Sequence, residues 1–219
     1  MEISAKPVTL KISEIFYSLQ GESSRVGLPT VFIRLTGCPL RCVWCDTEYA
    51  FSGGRQMKLP DILGETAHYA IRRVCVTGGE PLAQKACLPL LTLLCDSGYE
   101  VSLETSGALD IAGVDSRVAR IVDLKAPGSG EFDHNLWSNL ALLNPQDELK
   151  FVLKDRTDYE WARDTLRERH LDSICPLLFS PVQGHLEAKT LADWILTDRL
   201  PVRFQLQLHK LLWGNMRAK

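Results

Sequence analysis

Short apolar segments rich in β-branched residues recur along the chain, at residues 30–35, 73–77, 100–104, 120–124, 149–153, 176–179 and 202–208. Between several of them lie stretches with helical spacing, at residues 59–70, 83–97, 159–170 and 187–197. Strand-then-helix alternation predicts βα units around a mostly parallel sheet, because the crossover between parallel strands is made by a helix packed on the sheet. About six such strands are too few to close an eight-stranded barrel in 219 residues. The expected fold is therefore α/β, a partial open βα barrel of about six parallel strands. The length suits a single domain over residues 1–219, large enough to bury a core. No internal repeat or long linker interrupts it, and residues 52–55 and 127–131 read as loops.

The polar residues fall at one place in this pattern. Gly78-Gly79-Glu80-Pro81 follows one strand, Thr105-Ser106-Gly107 the next, and Lys125-Ala126-Pro127 the one after. Ser180-Pro181-Val182 and His209-Lys210 stand in the same position on later strands. Ligands bind parallel α/β folds at the carboxyl ends of the strands, so these residues are expected to converge on one rim. A net charge of −2 gives no electrostatic argument for nucleic acid or an anionic membrane. No apolar run approaches the ~20 residues of a membrane span. The N-terminus lacks the apolar stretch and cleavage site of a secretory signal, which makes the cytoplasm the expected compartment.

Seven cysteines cannot all pair internally, and three of them, Cys38, Cys42 and Cys45, fall within eight residues. Clustered thiols in a reducing compartment are metal ligands more often than disulfide partners. Thiolates suit zinc and iron–sulfur clusters, yet structural zinc and ordinary [4Fe–4S] sites use four protein ligands. No fourth Cys or His lies nearby, His68 being the nearest histidine, inside an expected helix. Three readings follow from the residues themselves: thiols without a metal, zinc with a distant fourth ligand, or a [4Fe–4S] cluster whose fourth iron is open to an exogenous ligand. Cys75, Cys87, Cys95 and Cys175 lack paired spacing and read as structural.

The spacing CxxxCxxC, with Trp44 before the last cysteine and a Gly-Gly-Glu-Pro segment after a later strand, resembles the radical S-adenosylmethionine (SAM) superfamily. The runs Phe16-Tyr17-Ser18-Leu19-Gln20-Gly21-Glu22, Phe32-Ile33-Arg34-Leu35 and Cys45-Asp46-Thr47 resemble a narrower family, the 7-carboxy-7-deazaguanine synthases of queuosine and deazapurine biosynthesis. So do Val76-Thr77-Gly78-Gly79-Glu80-Pro81, Glu104-Thr105-Ser106-Gly107 and Gln207-Leu208-His209-Lys210, so that the resemblance runs through nearly the whole chain. It implies a lyase that converts 6-carboxy-5,6,7,8-tetrahydropterin to 7-carboxy-7-deazaguanine with loss of ammonia. The radical made from SAM takes a hydrogen from C6 of the substrate, and SAM is regenerated. It further implies a [4Fe–4S] cluster, SAM and Mg²⁺ as cofactors, a reductant such as flavodoxin or ferredoxin, and a homodimer.

Roles carry over residue by residue as implications of the same resemblance. Cys38, Cys42 and Cys45 match the cluster ligands. Trp44, Asp46, Gly79, Ser106 and Asp123-Leu124-Lys125 match positions lining SAM, with Ser180, Pro181, Val182 and Gln183 closing over its adenosine end. Leu19, Gln20, Gly21, Glu22, Arg34 and Thr77 match the substrate contacts, and Thr47 the Mg²⁺ ligand. This set is chemically coherent: Arg34 offers a planar cation to a carboxylate, and Gln20 and Glu22 can pair with a pterin ring. Two departures stand out. Many members carry Gly where this chain has Ser23, and some carry Ser-Pro-Lys at Asp123-Leu124-Lys125. Lys219 is given no role, although the C-terminal segment approaches the substrate in some members, and Asn215 is nearer in register. A glycyl-radical-enzyme activase and a non-catalytic iron–sulfur or zinc protein are the competing readings. Gln20, Glu22 and Arg34 as small-molecule handles argue against the first, and the polar motifs at successive strand ends against the second.

Overall fold

In the computed structural model, which describes residues 7–219, nine strands form one sheet. Residues 1–6, part of the terminus read above for a signal, lie outside the described residues. In chain order the strands are β1 (Thr9–Leu19), β2 (Pro29–Leu35), β3 (Arg55–Lys58), β4 (Arg73–Gly78), β5 (Glu100–Thr105), β6 (Ala119–Leu124), β7 (Glu148–Leu153), β8 (Leu177–Pro181) and β9 (Arg203–Phe204). Their spatial order is β3-β1-β2-β4-β5-β6-β7-β8-β9. From β2 onward every neighbour is parallel, while β1 runs antiparallel to both β2 and β3. Six full parallel strands with two distinct ends make the expected open barrel. The helices are α1 (Leu59–Ala67), α2 (Cys87–Asp96), α3 (Arg156–Arg169), α4 (Ala188–Asp198) and α5 (Leu208–Trp213). None of them is long and apolar enough to cross a membrane.

Residue alternation divides the sheet into two faces. Successive side chains of a strand point to opposite sides. Val31, Ile33 and Leu35 of β2, Val74 and Val76 of β4, Val101 and Leu103 of β5, Val122 and Leu124 of β6, and Leu149, Phe151 and Leu153 of β7 all join one hydrophobic core. The helices cover that face: Leu90, Leu91 and Leu94 of α2 and Tyr159, Ala162 and Leu166 of α3 belong to the same core. The intervening residues, Phe32, Arg34, Thr77, Glu104, Ile121, Asp123, Lys150 and Val152, line a cavity on the opposite face.

Several elements differ from the sequence reading. β1 was not anticipated, because Lys11 and Glu14 interrupt its apolar residues, and it is held by pairing on both edges. The helix expected at residues 83–97 begins only at Cys87. Gln84 is extended instead, and its amide bridges the Lys11 backbone and the Thr36 carbonyl at 2.8–2.9 Å. The strand expected at residues 202–208 shrinks to Arg203–Phe204, and the chain then turns into α5. His209 therefore sits on a helix and does not end a strand. By contrast α3 starts earlier than expected, since Asp155 caps it by accepting from the Thr157 and Asp158 amides.

One buried ion pair ties β6 to the turn before β7. Arg120 donates to Asp147 through Nε at 3.1 Å and Nη2 at 2.6 Å, and to the Leu142 carbonyl at 2.7 Å. The Arg120 and Asn144 amides also donate to Asp147, whose side chain is fully buried. Removing one partner of such a pair leaves an uncompensated charge, which costs about 3–5 kcal/mol. Asp147→Ala is accordingly expected to lower the unfolding free energy by about that amount. A urea melt monitored by circular dichroism measures this, and a loss below about 1 kcal/mol would show that the pair is not needed.

Candidate active site

The loop that leaves β2 brings the three cysteines to the carboxyl end of the sheet. Cys45 donates its amide to the Cys42 carbonyl at 3.1 Å, which folds the last two into one turn. The loop is pinned from both sides: the Arg41 amide donates to Glu131 at 2.6 Å and the Glu80 amide to the Gly37 carbonyl at 2.7 Å. Gly79 is required here, because a Cβ at this position would collide with the Gly37 carbonyl and with Cys38 Cβ. Glu80 itself is fully buried and holds the rim together. It accepts from the Leu82 and Ser106 amides and from the Thr105 and Ser106 hydroxyls, at 2.6–3.0 Å.

All three thiols are partly accessible and line a single cavity of about 650 Å³. Among the described residues no three Cys, His, Asp or Glu groups converge to hold one metal ion. A polynuclear cluster spreads its ligands over the corners of a cube and does not require a single point of convergence. Burial pushes the Cys38 and Cys42 thiols up, and the Lys125 ammonium acts in the opposite sense on both.

Beside the cysteines, the same cavity is lined by Trp44, Asp46, Gly79, Ser106, Asp123, Lys125, Val182 and Gln183. Asp123 Oδ2 accepts from Lys125 Nζ at 3.0 Å, while its buried Oδ1 has no partner among the described residues. Leu124, Ser180 and Pro181 are placed differently from the expectation. Leu124 has the parity of the hydrophobic core, the Ser180 hydroxyl donates to the Gln205 carbonyl at 2.9 Å, and Pro181 is buried away from the cavity lining. None of the three offers a side chain to the cavity.

Leu19, Gln20, Gly21, Glu22, Arg34, Thr47 and Thr77 line the same cavity, with the Thr47 hydroxyl 3.8 Å from Cys45 Sγ. Gln20 Nε2 and the Thr77 hydroxyl both donate to Glu104, at 3.3 and 3.0 Å. Arg34 donates Nε to Glu14 at 2.8 Å and Nη1 to the Gly78 carbonyl at 3.4 Å; Nη2 has no hydrogen bond among the described residues. Tyr49 fixes Glu14 in turn by donating its hydroxyl at 2.9 Å. Thr47 precedes a short 3-10 turn, yet its hydroxyl makes no capping bond. Glu22 accepts from Lys150 at 2.6 Å and Gln207 at 2.7 Å. Burial would raise the Glu22 carboxyl, but the Lys150 ammonium outweighs it and brings the pKa to about 2. Asp46, likewise raised by burial, is held low by Lys210 at 2.7 Å.

The mouth of the cavity is the loop between β1 and β2, which reaches across the open barrel. Ser24 binds Glu148 of β7 through its amide at 3.0–3.1 Å and through its hydroxyl. Gln205 donates to the Ser23 carbonyl at 2.9 Å, and the Leu208 amide to the Gly21 carbonyl at 2.9 Å. Ser23 stands at φ 66°, a left-handed conformation natural for the glycine common in similar sequences. Its hydroxyl accepts from the Arg25 amide at 3.1 Å, an alternative means of holding the same turn. Gly21 has no room for a side chain, because a Cβ there would run into the His209 imidazole.

Glu104, Lys150 and Gln207 line the cavity although the sequence reading assigned them no role there, and His209, expected on the rim at a strand end, lines it from a helix. The signal for the first two was their parity: each is a charge inside an otherwise apolar strand, out of phase with the core residues. Gln207 and His209 stood in a quoted motif without such a parity signal, and they reach the cavity from the start of α5 and not from a strand. Asn215 and Lys219 also border the cavity, without an assigned role.

Comparison with known proteins accords with this arrangement. Residues 32–169 match the family model described as the Radical SAM superfamily. The 7-carboxy-7-deazaguanine synthase of Chlorobaculum tepidum is 47% identical over 208 residues, covering 94% of each chain. That of Koribacter versatilis is 44% identical over 219 residues, covering 93% of this chain and 97% of its own. The crystal structure of QueE from Escherichia coli superposes with a TM-score of 0.76 at 24% identity, over 92% of this chain and 95% of that one, and shows the same fold. On this sequence similarity and this fold, the chain belongs to the radical SAM superfamily and, within it, to the family of the 7-carboxy-7-deazaguanine synthases.

Proposed function

We propose that the protein converts 6-carboxy-5,6,7,8-tetrahydropterin to 7-carboxy-7-deazaguanine with loss of ammonia, using a [4Fe–4S] cluster, SAM and Mg²⁺. The observation that carries this reading is one cavity lined both by the cysteine triplet and by the Gln20, Glu22, Arg34 and Glu104 set. Cys38, Cys42 and Cys45 fit a three-thiolate cradle that leaves one iron open. The fit to SAM rests on the close backbone approach at Gly79 and on Trp44, Asp46, Ser106 and Asp123 lining the same cavity as the thiols. Cluster and SAM together supply, when bound, the reductive generation of a carbon radical.

The chain's own residues then do the positioning. Glu14 anchors Arg34 by Nε, which leaves the Nη edge of the guanidinium for the substrate carboxylate. Gln20, Glu22 and Glu104 offer acceptors to the amino and ring N–H groups of the pterin. The Thr47 hydroxyl, free of any capping bond, is available to Mg²⁺, which takes most of its remaining oxygens from water and substrate. Residues 20–28, drawn across the mouth, keep bulk water from the radical. Its place would be the queuosine pathway, with a small reductant protein as electron source and a homodimer as the working form.

Three experiments test the reading. Anaerobic reconstitution should load about four irons per chain, and Cys42→Ala should lose the cluster. Stoichiometric zinc in place of iron would end the radical SAM assignment. Arg34→Ala should keep the cluster and bind SAM, yet lose roughly 100-fold in product formation, because a misplacement of about 1 Å costs that much. Arg34→Lys should recover little, since an ammonium cannot reproduce the guanidinium fork. The assay follows 7-carboxy-7-deazaguanine by chromatography under reducing conditions. If wild type makes none, or Arg34→Ala matches it, the substrate assignment fails and a protein-activating enzyme becomes the better reading. Thr47→Ala should raise the Mg²⁺ concentration needed for half-maximal rate while SAM binding stays intact; an unchanged Mg²⁺ titration would remove Thr47 from the site.

A further inference from the structure

Lys150 lies at the middle of β7, on the cavity side of a strand whose neighbours Leu149 and Phe151 are in the core. Its ammonium is 2.6 Å from Glu22 Oε2 in the mouth loop and 3.6 Å from Asp123 Oδ2 on β6, and its side chain is 12% exposed. Both carboxylates line the cavity, Glu22 among the residues read as pterin contacts and Asp123 among those read as SAM contacts. One buried cation thus stands between a carboxylate of each set. Resting on the functional reading above, we infer that Lys150 is a positioning residue for both ligands. It holds Glu22 as an ionised acceptor facing the pterin, and with Lys125 it fixes the Oδ2 of Asp123 beside the SAM site.

The charges around Glu22 make this a sharp requirement. Lys150 faces it from β7, His209 and Lys210 from α5, and Asp46 from the cysteine loop, with Asp123 and Glu104 on β6 and β5 beyond. Asp46 already occupies Lys210, and burial lowers the His209 pKa, so neither cation replaces Lys150. Gln207 keeps its hydrogen bond to Glu22 but brings no charge. Without Lys150, burial is opposed only by the Gln207 hydrogen bond and the smaller effect of His209, and the Glu22 carboxyl rises. The acid form offers one acceptor fewer and places a hydroxyl against the N–H edge of the pterin.

The sign of the pH effect follows. In the wild type the depressed carboxyl stays ionised across the neutral range, so pterin affinity there is independent of Glu22 titration. In Lys150→Met the carboxyl is protonated as pH falls, and affinity is lost on the acid side and regained on the alkaline side. The probe is 6-carboxypterin, the fluorescent oxidised relative of the substrate, titrated into reconstituted SAM-loaded protein between about pH 6 and pH 8. Relative to wild type, Lys150→Met should weaken by roughly tenfold per pH unit below the raised carboxyl pKa. Lys150→Arg should match wild type throughout, and adding Glu22→Gln to Lys150→Met should flatten the profile. A Lys150→Met profile parallel to wild type overturns the inference. So does a folded Lys150→Arg that has lost affinity at every pH, an arm that decides the matter even if Lys150→Met does not fold. Wild type that binds no carboxypterin at any pH fails the functional reading instead, and the inference with it.

Discussion

Parity along six parallel strands governs this molecule. Because alternate side chains point to opposite faces, a shift of one residue in any strand would exchange core for cavity. Val122 and Leu124 pack under the helices while Ile121 and Asp123 line the cavity; Leu149 and Phe151 pack while Lys150 lines it too. The apolar partners therefore do more than stabilise. By fixing register they determine that Arg34 lies opposite Thr77 across the β2–β4 pairing, and Asp123 opposite Lys150 across β6–β7.

That register gathers carboxylates and cations that would be costly alone. Glu22, Glu104, Asp46 and Asp123 stand around one cavity with Lys125, Lys150, Lys210 and Arg34. Each close pair offsets part of the desolvation of its members, and none could be emptied of charge without stranding a neighbour. Hydrogen bonds from Gln20, Thr77 and Gln207 satisfy further carboxylate oxygens. What is left over is chemically informative: the unpartnered Asp123 oxygen and the free Arg34 Nη2 both belong to residues that line the cavity.

Much of this was legible in the chain before folding. The parallel strands announced themselves through β-branched apolar runs, and the cysteine triplet through its own spacing. Strand ends foretold a rim, and the structure places most of the assigned residues around one cavity there. The rest was hidden for physical reasons. β1 is made by pairing on both edges and carries charges that mask its pattern. The α2 start was displaced by the Gln84 amide bridging two strands. Leu124 sits between two true cavity neighbours in sequence, and only the two-residue period separates it from them. His209 needed a helix where the local sequence suggested a strand.

The mouth loop has a consequence for how the chain comes to be folded. Residues 20–28 are made early in synthesis, yet they are tied to Glu148, to Gln205 and to Leu208, contacts separated by more than a hundred residues. Closing such long loops is slow, because chain entropy must be lost before the contact is gained. The loop cannot take its place until β7 and α5 exist, so its side of the cavity is completed late. The cysteine loop, anchored chiefly to Gly79, Glu80 and Glu131, can order sooner. The order of assembly thus leaves the three thiols reachable from solvent before the mouth loop is fixed.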